Sequence, residues 1–482
     1  MVKRTDAYLT VYLTLILAIL LSLCLALVEG ARRNAAALEA ECIVDIGLNS
    51  VLAEYHKELF RQYNLFAIDI SYGTAMASFS NTERHLQQYL EKNMSLDGVI
   101  LSNYWYRDFL CLRPEETELT KASLLTDREG GVFRRRAVEA VKDDVGLTLL
   151  KELTEWVKTV ESNDLEDRRI EEEKQEIDRR LQEYDGLEIS ADNKIQIVDF
   201  QNPTQKLEDK RKQGILKLAL GEKAEVSVRE ISGPPLIMER MRKGEINRGN
   251  MVSEGKREES LVDQFLFREY LLNYMGYYGA EKEEGALMYQ VEYLIVGDHR
   301  DMENLRGTVN RLLLLREGAN ALYLFSDSEK CMAAELVAAA IASLLLLPEI
   351  TELLKISLLL GWAYAESLYD VETLLAGGKI PLIKDDATWH YDLQGALQAD
   401  TQENFQEGTG LAYEDYLRIF LMLSDTDVLT GRAMNMVEAD IRQTQGNSCF
   451  RLDGCIDGLE ARFLIQSTYG YEFEIIRQKE YW

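Results

Sequence analysis

Ala7–Val28, AYLTVYLTLILAILLSLCLALV, is a run of 22 residues without a charge, a proline or a glycine. As a helix at 1.5 Å per residue it would span about 33 Å, against about 30 Å for the hydrocarbon core of a bilayer. A cleaved signal peptide has a shorter apolar core and a small-residue exit site. Here the run is followed by Glu29-Gly30-Ala31-Arg32-Arg33. A lipoprotein reading of Leu21-Ser22-Leu23-Cys24 fails as well, because Leu23 is large and Cys24 lies deep inside the run. The expectation is an uncleaved, single-pass anchor in contact with the lipid bilayer.

Lys3 and Arg4 flank one end of the run and Arg32 and Arg33 the other, so the positive-inside count ties. The free amino group tips it toward a cytoplasmic N-terminus. The chain carries a net charge of −28, and since Lys3, Arg4 and Asp6 give the first six residues +1, the rest carries −29. A long acidic domain is translocated regardless of charge, so the body is expected outside the cytoplasm. Its charge argues against nucleic acid or anionic lipid as its ligand.

Between Ala31 and Tyr63 there is no proline and Gly47 is the one glycine. Val44, Leu48, Val51, Leu52, Tyr55, Leu59 and Tyr63 mark one helical face. The spacing predicts that the membrane helix continues as an amphipathic stalk over 29–63, with a weak point at Gly30. Such a stalk can self-associate or pack on its own body, and the second reading is preferred. Asn64–Gly73 and Gly98–Cys111 read as strands, and Thr82–Met94 as a helix, within a first part of the body at 64–148. Leu149, Leu153, Trp156, Val160, Asn163, Asp167, Ile170, Lys174, Ile177, Leu181 and Tyr184 alternate by four and three, which predicts a coiled-coil-like helix over 149–185. An antiparallel hairpin within the chain fits the same pattern.

Residues 186–257 are polar and charged, with Pro203, Pro234 and Pro235, and read as a linker or insertion. Strands are expected there at Ile195–Phe200 and Ala224–Ile231. Residues 258–482 form a second, mainly helical unit. In it Leu261–Tyr278 and Asp301–Arg316 read as helices, and Met288–Val296 as a strand. Leu336–Leu347 and Ile356–Ala365 read as buried core helices, since neither reaches the length of a span. Tyr413–Leu423 and Thr430–Gln443 are further helices, and Glu460–Gln466 with Tyr471–Arg477 form a C-terminal hairpin. The fold class expected is α+β, mainly helical.

The chain holds no G-x-x-x-x-G-K-[ST] loop, no H-E-x-x-H and no G-x-S-x-G; Gly377-Gly378-Lys379 is followed by Ile380. His56, His85, His299 and His390 are scattered. Asp298-His299-Arg300-Asp301 is read as a turn with Asp301 capping a helix, and Asp425-Thr426-Asp427 is a fragment of a calcium loop. Trp362 and Glu366 lie one helical turn apart. Glu366 is either a buried partner for a basic group such as Lys384 or part of a half-exposed face, and the second is preferred. Cys449 and Cys455 are close enough to bridge a small loop, although two unpaired thiols is the preferred reading. No catalytic, cofactor-binding or metal-binding residue is assigned, and an enzyme is not expected.

VEGARRNAAALEAE followed by SVLAEYHKELFRQYNLFAIDISY resembles the N-terminus of an uncharacterised family encoded beside Tad (tight adherence) pilus genes in Gram-positive bacteria. VEYLIVGDHRDMENL, LLLLREGANALYL, LGWAYAESLYDVETLLAGGKIPLIKDDATWHYDL and LAYEDYLRIFLML resemble its C-terminal half. The resemblance implies an envelope protein with a TadE/TadG-like, pilin-like anchor. It would act as a structural or assembly component of a Tad-like pilus or secretion system, with that system's other subunits as partners. Processed pilins carry a glycine before the apolar stretch and a glutamate soon inside it. Thr5-Asp6-Ala7 stands here instead, and prepilin cleavage is not expected. A membrane-tethered sensor or ligand-binding module working through a partner protein is the alternative.

Overall fold

The computed structural model describes residues 5–95, 110–142, 147–166, 169–191, 194–212, 214–220, 226–231, 249–250, 260–398 and 408–481. Its helices are α1 (Thr5–Leu52), α2 (Lys57–Tyr63), α3 (Phe79–Met94), α4 (Asp127–Val141), α5 (Leu147–Ser162), α6 (Arg169–Gln182), α7 (Gln205–Lys212), α8 (Ile215–Leu220), α9 (Leu261–Tyr274), α10 (Gln290–Val296), α11 (Asp301–Ser326), α12 (Ser328–Leu344), α13 (Thr351–Leu375), α14 (Leu393–Gln398), α15 (Tyr413–Leu423) and α16 (Thr426–Gln443). Its strands are β1 (Ile68–Asp69), β2 (Leu112–Leu124), β3 (Glu188–Ala191), β4 (Lys194–Ile197), β5 (Gly249–Asn250), β6 (Cys455–Ser467) and β7 (Glu472–Glu480). The fold is α+β and mainly helical. It divides into two compact units. One comprises Met1–Arg136, Pro235–Glu258 and Ile441–Trp482; the other comprises Ala137–Pro234 and Glu259–Asp440.

The first unit is a sheet covered by helices. β6 is its centre, antiparallel to β1, β2 and β7, and β5 adds to β2 in parallel. Along β6, Leu459, Ala461, Phe463 and Ile465 are buried, while the alternate Glu460, Arg462, Leu464 and Gln466 are half-buried. This is the period-two pattern of a strand with one covered face. The covering helices supply Ala36, Ala40, Ile43, Val44, Leu48 and Val51 from α1, and Leu86, Leu90 and Met94 from α3. On the other face Arg462 reaches Glu118 at 2.9 Å and Glu116 at 3.4 Å on β2. Such cross-strand pairs are the ordinary reinforcement of a wetted sheet face.

The amphipathic face therefore belongs to the body's own core, and α1 ends at Leu52 instead of running to Tyr63. Tyr55 packs its ring edge-on to Phe60 and Phe66, and His56 caps the separate α2, its Nδ1 accepting from Leu59 N–H at 3.2 Å. Of the strand expected at Asn64–Gly73 only β1 forms. Asn64 is the left-handed cap of α2 and Tyr72 also has positive φ, so neither flank continues an extended ladder. Of the expected strand Gly98–Cys111, residues 98–109 lie outside the described residues. The hairpin groups with the N-terminal residues through β1 and β2, which divides the single unit expected over 258–482.

The second unit is helical, with α13 at its centre against α6, α8, α11, α12 and α14. From Ser357 to Leu375 every residue of α13 is buried. The seam expected as one helix over 149–185 is two, α5 and α6. Asp164 turns the chain in the left-handed region between them, α5 packs on α15 and α6 on α13. Met288–Val296 is not a strand: Gln290–Val296 is helical and ends at Gly297, whose φ is 89°. A short apolar run carries no decisive period, and residues 290–294 are buried all round. Residues 226–229 form no strand; residues 224–225 lie outside the described residues and Glu230 makes an isolated bridge with Arg300. Of the strand expected at Ile195–Phe200, only residues 195–197 are extended, within β4.

The two long apolar runs differ. The run within α13 is a core helix. In α12 the buried stripe is Ala334, Ala338 and Ala342, whereas Leu336 is 67% and Leu344 80% exposed. Methyl-sized side chains are what α12 turns inward, which leaves its leucines on the outside. The expectation of a buried core helix over Leu336–Leu347 is corrected accordingly.

Candidate functional site

Two features stand out, one in each unit. In the first, α1 is exposed along its apolar run from Tyr8 to Val28 and runs without a break through Gly30 into the buried turns that begin at Ala36. Among the described residues it is the one helix long and apolar enough to cross a membrane. A Cβ at Gly30 would meet nothing within 4 Å, and the expected weak point is an ordinary helical turn. The exposed apolar run and a wall of the first unit's core are thus one helix of 48 residues, about 72 Å long.

In the second unit, four charged side chains are completely buried together. Arg316 comes from α11, Glu366 and Asp370 from α13, and Lys384 from the segment after it. Arg316 donates from Nε to Asp370 at 2.9 Å, and from Nη1 to the carbonyls of Pro381 and Leu382 at 2.9 and 2.8 Å and to the Tyr416 hydroxyl at 3.0 Å. Asn320, one turn further along α11, donates to Asp370 and to Ser367 Oγ, both at 2.9 Å. Lys384 Nζ bridges Glu366 and Asp370. Glu366 also accepts the backbone N–H groups of His390 at 2.8 Å and Tyr391 at 2.9 Å.

Two cations face two carboxylates, so the cluster is neutral as a whole. Burial alone would raise the Asp370 carboxyl, but Arg316 and Lys384 outweigh it and hold the group below its ordinary range. Burial pushes Glu366 upward against the pull of Lys384. Aromatic rings close the cluster: His390 stacks on Tyr369 at 3.8 Å, and Trp362 and Trp389 both donate to the Tyr391 carbonyl. Burial lowers the His390 imidazole below its usual value. These bonds join α11 to α13 and α15, and tie the 380–391 segment to α11 and α13 by directional, desolvated contacts.

The buried pairing of Glu366 with Lys384 is what the structure shows, against the half-exposed face preferred from sequence. Arg316, Asn320 and Asp370 had no such signal. The available one was the placing of Arg316 between Leu315 and Ala319, and of Asp370 four residues after Glu366, inside apolar helices. Asp301 is the first residue of α11, with Arg300 at the cap position. Its carboxylate instead holds the backbone just before α10, accepting from Met288 and Tyr289 N–H at 3.0 and 3.2 Å. Asp425 caps α16, taking the N–H groups of Asp427 and Val428. Gly377, at φ 88°, lies just past the end of α13. His56 and His85 belong to the first unit, where His85 Nδ1 meets Glu54 at 3.0 Å. Cys449 and Cys455 are not joined in a disulfide; the first is exposed and the second is buried with its thiol on the Arg451 carbonyl. Among the described residues no group of three or more His, Cys, Asp or Glu is placed to hold a metal.

A model for a family of unknown function, DUF5702, matches residues 194–467, which takes in the whole buried charge cluster and all of β6. No curated protein and no solved structure matches the chain.

Proposed function

The chain belongs to the family of unknown function DUF5702, and from that premise we propose that it is a single-pass membrane component of a Tad-like surface pilus or secretion system. Its body lies outside the cytoplasm and its role is structural or in assembly. The observation that supports this reading is the unbroken passage of α1 from an exposed apolar span into the core of the first unit. A helix that is both anchor and core wall transmits force or position between lipid and body without a hinge. The charge cluster fits the same role, since it stiffens the second unit where partner subunits would bear. The pilus assignment rests on the sequence resemblance at the anchor and in the C-terminal half.

The test is localisation together with loss of function. Antibody to the body should label membranes and sheared surface filaments of intact cells, and deletion of the gene should abolish the filaments. Recovery of the protein only from the cytosol, or normal filaments in the deletion strain, would overturn the proposal.

A further inference from the structure

We propose that the tip of the β6–β7 hairpin, Tyr469-Gly470-Tyr471, is a second membrane contact, seated in the headgroup layer of the bilayer that α1 crosses. This rests on the reading of α1 as a membrane span and adds to it a site on the body. The tip returns to α1 immediately beyond the apolar run. The Tyr471 hydroxyl meets the Glu29 carboxylate, and the Arg32 guanidinium lies over the Tyr469 ring at 4.4 Å from its centre. Glu29 and Arg32 are one and four residues past Val28, so the tip stands about 1.5 to 6 Å beyond the hydrocarbon boundary. A headgroup layer adds about 5–8 Å on each side of the core. The tip lies within that depth for any modest tilt of the helix.

The chemistry of the tip fits the layer. Tyrosine has an apolar ring and a polar end, and is enriched where hydrocarbon gives way to water. Tyr469 is 46% exposed, which leaves part of its ring open to a surrounding layer. Arg32 keeps its charge at the boundary, over the Tyr469 ring and 3.7 Å from the Glu29 carboxylate. Contact through rings and neutral headgroups also suits a body too acidic to be drawn to anionic lipid.

The tip is held rigidly. Ser467 N–H donates to the Tyr471 carbonyl at 2.9 Å, Gly470 N–H to the Ser467 carbonyl at 2.9 Å, and Ser467 Oγ to the Leu110 carbonyl at 2.6 Å. Gly470 turns at φ 84°. With α1 packed along the same sheet, lipid would hold the first unit at two points, and those two points would set the rotation and tilt of α1.

The full chain, reconstituted in phosphatidylcholine vesicles with its native cysteines replaced, is spin-labelled at one site at a time through Leu20→Cys, Tyr469→Cys or Gln478→Cys. Collision rates with oxygen and with a water-borne nickel chelate give depth. Gln478 lies on the same strand about 23 Å from the tip and is the aqueous reference. The label at 469 is expected between the other two, with nickel access several-fold below that at 478. Nickel access at 469 equal to that at 478, with Leu20 in lipid, overturns the tip contact and leaves the anchor standing. A water-accessible Leu20 overturns both. A label at 469 shielded from oxygen and nickel alike shows a protein partner there and also overturns it. Should the labelled variant misfold by circular dichroism, Tyr469→Trp read against lipids brominated near the headgroup decides instead: quenching beyond that of the parent chain supports the contact and its absence overturns it.

Discussion

The Lys384 side chain is fully buried, and its charge is tolerable because Glu366 and Asp370 accept it. Replacing it by methionine leaves two buried carboxylates facing Arg316 alone. The expected loss is about 3–5 kcal/mol of unfolding free energy, the usual cost of orphaning one partner of a buried pair. Replacing Glu366 by Gln together with Lys384 by Met should recover part of that loss, measured by denaturant titration of the detergent-solubilised chain. Glu292 makes a second prediction. It is fully buried, accepts from Tyr278 N–H at 2.9 Å and the Tyr413 hydroxyl at 3.0 Å, and has one oxygen without a hydrogen-bond partner. Burial, against those bonds, raises its carboxyl to about 7. The unfolded chain ionises Glu292 at the ordinary carboxylate value, so the folded state holds the extra proton as pH rises. Its contribution to stability is present in acid and is lost between about pH 4.5 and 7, by roughly 3 kcal/mol. Glu292→Gln should abolish that slope, so the gap between variant and parent should move in favour of the variant as pH rises through this window. A constant gap would exclude Glu292 as its source.

At the scale of elements, periodicity is readable only where one face decides. The run Ala7–Val28 and the β6 alternation are such cases, and both lie where the sequence places them. β2 is the opposite case. LRPEETELTKASL buries Leu112, Leu119, Ala122 and Ser123 along its 13 residues, and its register shifts at Pro114. Nothing local marks it as a strand; pairing with β6 does. Two glycines test the helices. Gly30→Ala should raise the helicity of the junction by about 0.5–1 kcal/mol with no clash, while Gly30→Pro should cost about 3 kcal/mol and break the coupling of span to body. Broadened distances between spin labels at Leu20 and Gln478 would report the break. Gly318 on α11 differs, because a Cβ there would stand 2.5 Å from the Leu165 carbonyl. Gly318→Ala should therefore destabilise by about 1–3 kcal/mol, read as a lower denaturation midpoint.

For the whole molecule, the exposed span and the acidic body predict opposite solubilities joined in one chain. The full protein should stay with membranes through alkaline carbonate and need detergent for release; release by carbonate alone would contradict a spanning α1. Hydropathy and length, both local sums, made the long apolar N-terminal helix and the predominance of helix legible from the sequence alone. They could not say that α1 stops at Leu52, that its amphipathic face closes the body's own sheet, or that the C-terminal hairpin completes a unit begun by the first residues. Nor could they bring Arg316 and Asp370 to the Glu366–Lys384 pair, or show which face of α12 turns outward. Those outcomes depend on contacts between residues distant in the chain, where burial and pairing are decided jointly by both partners, and neither partner's own stretch of sequence carries the other's position.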